Sequence, residues 1–265
     1  MEIKLTVIMS EYNSESSQLK LAIDSILNQT YKNFMFIIVD DNTNEDNRRI
    51  LLEYAKKDAR IKIIKNEKNL GLVKSLNRAI NLASTKYIAR MDTDDISNIN
   101  RFERQIKFME EHQEYVFTGT RANFFDENGI YLTSNIYGEI DTNVLVRFCV
   151  FFHSSIMIKT DILKQIGMYE EYKRNEDYAL YLKLYCNGFK GYIMEEILLD
   201  YRQNKDSFKR KKYRDRIIEA KIRGKYFKLL KVKLFKRYIY TIKPLVVGLI
   251  PKTLLFQYKK IRNIR

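Results

Sequence analysis

The sequence predicts an α/β protein: a mostly parallel sheet with helices on both faces, continued by a basic helical extension. Three observations lead there. Short apolar runs alternate with stretches of helical spacing, polar acid- and amide-rich segments follow three of those runs, and the charge balance changes sharply near Tyr201. In order, Leu5–Met9, Phe34–Val39, Ile61–Lys65 and Tyr87–Met91 are nearly continuously apolar, the pattern of strands covered on both faces. Between them Ser16–Leu27, Asp46–Lys57 and Leu72–Ala83 carry apolar residues at helical spacing, as in Leu72, Leu76, Ala79, Leu82 and Ala83. Such alternation implies right-handed βαβ units. In sheets of this kind ligands bind outside the carboxyl ends of the strands. Three ends are chemically suggestive: Ser10-Glu11-Tyr12-Asn13, Asp40-Asp41-Asn42 and Asp92-Thr93-Asp94-Asp95. All three are expected on one rim.

The third of these ends is the most informative. Three carboxylates within four residues, directly behind Tyr87-Ile88-Ala89, repel one another. Hard divalent cations such as Mn²⁺ and Mg²⁺ take oxygen ligands and keep positions for substrate phosphates, so a strand-end Asp-x-Asp suits a metal–diphosphate pair. A polar loop or a helix N-cap uses the same residue type.

Composition bounds the possibilities. The 265 residues, 45% hydrophobic and 13% aromatic, suffice for one catalytic domain and an extension. Cys149 and Cys186 are the only cysteines, so neither a disulfide framework nor a structural zinc site is suggested. The N-terminus lacks the long apolar core of a signal peptide. The longest apolar run near the far end, Leu245 to Ile250, is too short to span a bilayer. A cytoplasmic protein is expected. With no GxGxxG and no Walker A loop, dinucleotide and P-loop chemistry are disfavoured, and there is no GxSxG elbow. His112 and His153 are too few for a histidine metal centre. His112 reads as a solvated helix-end residue; His153, behind Val150-Phe151-Phe152, is either a core-edge residue or a pocket donor.

These segments resemble the glycosyltransferases of family two. The resemblance rests on Val7 to Asn13, Ser25 to Tyr31, Ile37 to Thr43, Asn69 to Leu72 with Leu76 to Ile80, Ala89 to Asp95, His153 to Met157 and Asn175 to Tyr178, in order across residues 3–200. It is closest to the bacterial enzymes that build capsular polysaccharide, O-antigen and related surface glycans. The resemblance implies the GT-A fold, with a nucleotide-binding half over about 1–95 and an acceptor half over 96–201. It also implies a UDP-sugar donor carrying a hexose or N-acetylhexosamine, a glycan acceptor that is lipid-linked, and Mn²⁺ or Mg²⁺ as cofactor.

The same resemblance implies a role at each position. Ser10 and Tyr12 line the base pocket. Asp41, or its neighbour Asp40, accepts a hydrogen bond from uracil, and the other is expected to cap the next helix. Gly71 lets the backbone pass close to the nucleotide, or is a turn glycine. Arg90 contacts the donor or orders the acidic loop through a salt bridge. Asp92 meets the ribose or the metal's water shell, Asp94 ligates the metal, and Asp95 supports the loop or the sugar hydroxyls. Asp177 is the general base and Glu176 holds an acceptor hydroxyl, although two acids also suit a helix first turn. Attack opposite the departing diphosphate inverts the anomeric centre.

The extension is a separate problem. Residues 1–201 hold 26 Lys+Arg against 30 Asp+Glu, whereas residues 202–265 hold 22 against 3. Arg202 to Arg237 mixes cations with apolar residues at helical spacing (Phe227, Leu230, Leu234 and Tyr238), and beyond it Pro244 and Pro251 break Leu245–Ile250 from Thr253 to Lys260. This suits a basic amphipathic tail lying in an anionic membrane interface. A helical cap on the catalytic domain is the plainer alternative. Nucleic acid attracts the same charges, but no nucleic-acid-reading motif accompanies them, and none is expected as a partner. Two rival classes remain at this level: a metal-dependent nucleotidyltransferase or RNA-binding enzyme, and a non-catalytic UDP-binding protein.

Overall fold

A computed structural model of the protein describes residues 3–203 and 212–250. The first half is the expected βαβ array. Strands β1 (Leu5–Glu11), β2 (Phe34–Asp40), β3 (Ile61–Lys65) and β4 (Tyr87–Arg90) lie in the order β3-β2-β1-β4, all parallel. Helices α1 (Ser16–Leu27), α2 (Glu45–Lys57) and α3 (Leu72–Leu82) make the crossovers. Side chains alternate across the sheet as the pleat requires. Ile8, Ile37 and Ile88 pack with Val73, Leu76 and Ile80 of α3. Val7, Phe36 and Ala89 pack on the other face with Leu19 and Ile23 of α1 and Leu51 of α2.

The second half extends the same sheet. Beyond β4 come β5 (Ile96–Ser97), α4 (Arg101–Glu111), β6 (Phe117–Asp126), β7 (Gly129–Thr133), β8 (Gly138–Glu139) and α5 (Thr142–Arg147). Next are a 3-10 turn (His153–Ser155), β9 (Met157–Lys159), α6 (Thr160–Gln165), α7 (Glu176–Cys186) and β10 (Gly191–Arg202). Strand β9 runs antiparallel between β4 and β6, while β10 is parallel to β6. The longest pairings, β1 with β2 and β6 with β10, are parallel.

Two helices come after β10: α8 (Tyr213–Leu229) and α9 (Leu234–Leu249). Helix α8 buries Ile222, Tyr226 and Phe227 in the cluster that holds Tyr181 and Leu184 of α7. The single helical stripe expected through Phe227, Leu230, Leu234 and Tyr238 is not formed. Lys231 adopts the left-handed conformation (φ 53°) and ends the helix, so Phe227 turns inward while Leu234 and Tyr238 face solvent. Pro251 and the segment Thr253 to Lys260 lie outside the described residues.

Arg101, fully buried in α4, ties the end of β4 to its surroundings. Its Nη2 donates to the Arg90 carbonyl at 3.0 Å and its Nε to Gln105 Oε1 at 2.9 Å, while Gln105 Nε2 donates to the Ser155 carbonyl at 2.8 Å. Arg101→Met is expected to take the donor from the Arg90 carbonyl and from Gln105 Oε1 and to cost ~2 kcal/mol or more. Urea unfolding of the two proteins measures it.

Candidate active site

The three rim segments meet as expected. Glu11 at the end of β1 pairs in register with Asp40 of β2, Asp40 with Lys65 of β3, and Ile8 with Arg90 of β4. The chain must turn sharply after each strand. Asn13 (φ 50°) and Asn42 (φ 60°) do so in the left-handed region, which Asn tolerates better than most residues. Glu11, buried completely, joins the first two loops: its carboxylate accepts from Ser14 N (3.0 Å), Thr43 Oγ1 (3.0 Å) and Asn47 Nδ2 (2.7 Å).

Asp40 and Asp41 have different partners, and neither caps α2. Asn44 is the N-cap, its side chain accepting from Asn47 N. Asp40 accepts from Thr43 N (2.8 Å) and Arg48 Nε (2.8 Å), closing the turn one step earlier. Asp41 accepts from Asn66 Nδ2 (2.6 Å), Leu70 N (2.7 Å) and Gly71 N (2.9 Å), so it shapes the loop ahead of α3. Gly71 stands at the N-cap of α3 with φ +87°, and a Cβ there would meet open space. The glycine is required by backbone conformation, not by crowding. Ser10 is partly buried at the end of β1, and the Tyr12 ring is about half exposed (51%) beside these loops.

The acidic loop lies behind β4. Asp92, Asp94 and Asp95 each offer an oxygen within 4.8 Å of the others. Arg90, itself buried, forms an ion pair through Nη1 with Asp92 out of hydrogen-bond alignment, and its Nε is buried with no hydrogen-bond partner among the described residues. Asp95 is held by Ser154 Oγ and by Arg202 N (2.8 Å), while Arg202 Nε donates to the Asp94 carbonyl (2.9 Å). Burial, then repulsion from Asp94 and Asp92, raises the Asp95 carboxyl well above the usual range.

Opposite lie the first residues of α7. Asn175 is left-handed (φ 59°) and turns the chain so that Glu176 and Asp177 open the helix. Tyr169, fixed through its backbone N (3.1 Å) and carbonyl (2.9 Å) to Asn77, joins the two sides. Its hydroxyl lies 2.6 Å from His153 Nε2 and feels the charges of Arg90, Asp177, Glu176 and Asp92. His153 is thus a hydrogen-bonded residue at the pocket wall, kept neutral by burial and then by Arg90. His112, by contrast, is the exposed C-cap of α4.

Burial first and Asp177 second push Glu176 from 4.5 up to about 7. The native state therefore holds this proton more tightly than the unfolded chain. The stabilisation is fully present below about pH 4.5 and is lost as pH rises through 7. Glu176→Gln is expected to flatten the fall in unfolding free energy between those values, read from urea titrations at a series of pH values.

Sequence reasoning assigned no site role to the residues that act at long range: Glu11, Asn66, Arg101, Ser154, Tyr169 and Arg202. Each is a common polar residue whose partner lies elsewhere in the chain. Only the left-handed asparagines left a local trace, as Asn beside the strand ends and before Glu176.

Comparison with known proteins bears on this arrangement. The family model described as "Glycosyl transferase family 2" matches residues 6–167. The chain is 35% identical over 263 residues to the putative glycosyltransferase EpsE of Bacillus subtilis, spanning 98% of this chain and 94% of that protein. It is 29% identical over 261 residues to WfaP of Escherichia coli, a UDP-Glc:alpha-D-GlcNAc-diphosphoundecaprenol beta-1,3-glucosyltransferase, spanning 98% of each. Among solved structures, the mannosyltransferase PcManGT from Pyrobaculum calidifontis, in complex with GDP-Man and Mn²⁺, superposes with a TM-score of 0.65. That match covers 97% of this chain and 79% of the other at 15% identity, and the GT-A fold is the fold observed.

Proposed function

The chain belongs to glycosyl transferase family 2, and on that footing we propose that it moves a hexose or N-acetylhexosamine from a UDP-sugar to a hydroxyl of a lipid-linked glycan in polysaccharide biosynthesis. The observation that carries the reading is the cluster of Asp92, Asp94 and Asp95 behind β4, with Glu176 at the start of α7 within the field of Arg90 and Asp92. The choice of UDP and of a lipid diphosphate acceptor is supported by the name of WfaP, which matches end to end.

The acidic residues fit a hard divalent cation. Three carboxylates share one small volume, and a cation would relieve the repulsion that, after burial, raises the Asp95 carboxyl. Asp94, with Asp92, would hold it. Bound there, Mn²⁺ or Mg²⁺ neutralises negative charge on a departing diphosphate. Asp95, fixed by Ser154 and Arg202, keeps the loop in shape. Arg90, paired with Asp92, sets the position of that carboxylate. Ser10, Tyr12 and the loop held by Asp41 form the wall for the base.

Transfer forms a bond from the acceptor oxygen to the anomeric carbon and breaks the bond from that carbon to the diphosphate. The proton leaving the acceptor hydroxyl goes to Asp177. Glu176, with its raised proton affinity, is suited to hold a neighbouring acceptor hydroxyl. Attack from the face opposite the leaving group gives inversion.

The test is direct. Purified protein is offered UDP-glucose, UDP-galactose, UDP-GlcNAc and UDP-GalNAc, with GDP-mannose beside them, with and without Mn²⁺ and a diphosphate-lipid-linked sugar. Expected is UDP release from at least one donor, dependent on the metal and raised by the acceptor. Release of GDP alone would overturn the uridine assignment. No release from any donor would overturn the enzymatic reading.

A further inference from the structure

Helix α9 presents its apolar side to solvent. Leu234, Phe235, Tyr238, Ile239, Val246 and Leu249 occupy one continuous arc of the helix. Four of them are among the most exposed large apolar residues described: Phe235 (77%), Leu249 (74%), Leu234 (72%) and Tyr238 (68%). The orientation is fixed from the other side. The face turned toward α8 is built from Thr241, Pro244 and Gly248, with Thr241 against Gly224. A Cβ at Gly248 would stand 3.0 Å from the Tyr213 ring and 3.1 Å from Arg216 Cγ. The bulky face cannot be rotated inward without clashing there. An exposed apolar face of this extent marks an interaction site.

Charge selects the occupant. From Leu229 to Ile250 there are five basic residues and no acidic one; Lys243 is turned back onto the Arg147 carbonyl (3.2 Å), which leaves Lys231, Lys233, Lys236 and Arg237 as the cations available to a partner surface. Two copies joined symmetrically through this helix would set like charge against like. The final segment, residues 251–265, also carries five basic residues and no acidic one, so folding it over this face adds to the repulsion. An anionic surface with an apolar interior relieves both terms. No described helix is long and apolar enough to cross a membrane. At 16 residues α9 measures about 24 Å, and it suits the plane of the interface. We propose that the outward face of α9 seats the protein on the surface of an anionic phospholipid bilayer, its apolar side chains among the acyl chains and its cations among the headgroups. This is independent of the sugar-transfer reading.

Flotation of the full chain tests it, with vesicles of phosphatidylcholine alone and of phosphatidylcholine mixed with phosphatidylglycerol. The protein should float with the anionic vesicles and far less with the neutral ones. Phe235→Ser combined with Leu249→Ser keeps every cation and alters only exposed side chains. It should lower partitioning at least ~10-fold, with an unchanged circular dichroism spectrum and thermal midpoint. Failure of the parent chain to float, or equal flotation of the double variant, would overturn the assignment. So would a dimer in sedimentation velocity that the same double substitution dissolves, since a second copy would then be the occupant.

Discussion

Asp94→Asn is expected to cost at least ~10²-fold in turnover and to weaken Mn²⁺-dependent UDP binding, while leaving the fold intact. The change is nearly isosteric and removes one negative charge from the trio whose oxygens lie within 4.8 Å of one another. That charge is what would hold a hard cation against a diphosphate, where loss of one well-aimed electrostatic partner is worth about two to three orders of magnitude. Calorimetric UDP titration with and without Mn²⁺, beside the transfer assay, separates binding from chemistry. Full activity in the variant, or undiminished turnover of the parent in excess chelator, would remove Asp94 from the metal site.

Asp177→Asn should behave differently. The amide keeps the shape at the start of α7 but cannot take a proton. UDP-sugar affinity should stay close to that of the parent while transfer falls by ~10²–10⁴-fold, with kcat carrying the loss. A structural role for Asp177, whose Oδ1 accepts from Tyr178 N at 2.7 Å, would show as a lowered thermal midpoint with turnover per bound complex preserved. Comparison with Glu176→Gln sharpens the result, because that substitution removes a titrating group and should move the pH profile instead.

The first half of the fold was legible because its signals are local. Nearly continuous apolar runs at residues 5–9, 34–39, 61–65 and 87–91 mark the strands, and the strands observed start at the same residues; β3, at the sheet edge, buries only Ile61. Because βαβ units make the strands parallel, the acidic ends had to share a rim. Roles within the rim were less legible. Asp40-Asp41 next to Asn42 and Asn44 offers several residues able to cap a helix, and the choice of Asn44 depends on where the left-handed Asn42 directs the chain. The job of Asp41 depends on Leu70 and Gly71, nearly thirty residues away. Arg202 looks like the first cation of a basic tail, yet its backbone N–H holds Asp95. Polar residues of this kind carry no periodicity, so only a fold in three dimensions reveals their partners.

The two C-terminal helices have unequal freedom to change over time. Helix α8 shares its interior with α7, its Lys225 and Tyr226 hold Glu170 next to Tyr169, and so it inherits every constraint on the catalytic wall. Helix α9 contributes only Pro244 to the buried set and is joined through a short turn at Lys231. The seam of modularity therefore falls at residues 230–233. Substitutions beyond it meet the body of the protein at few points: Pro244, the Tyr240 carbonyl that accepts from buried Arg223 (3.3 Å), Lys243 on the Arg147 carbonyl (3.2 Å) and Gly248 under Tyr213, so the outward residues of α9 are free to vary where those of α8 are not.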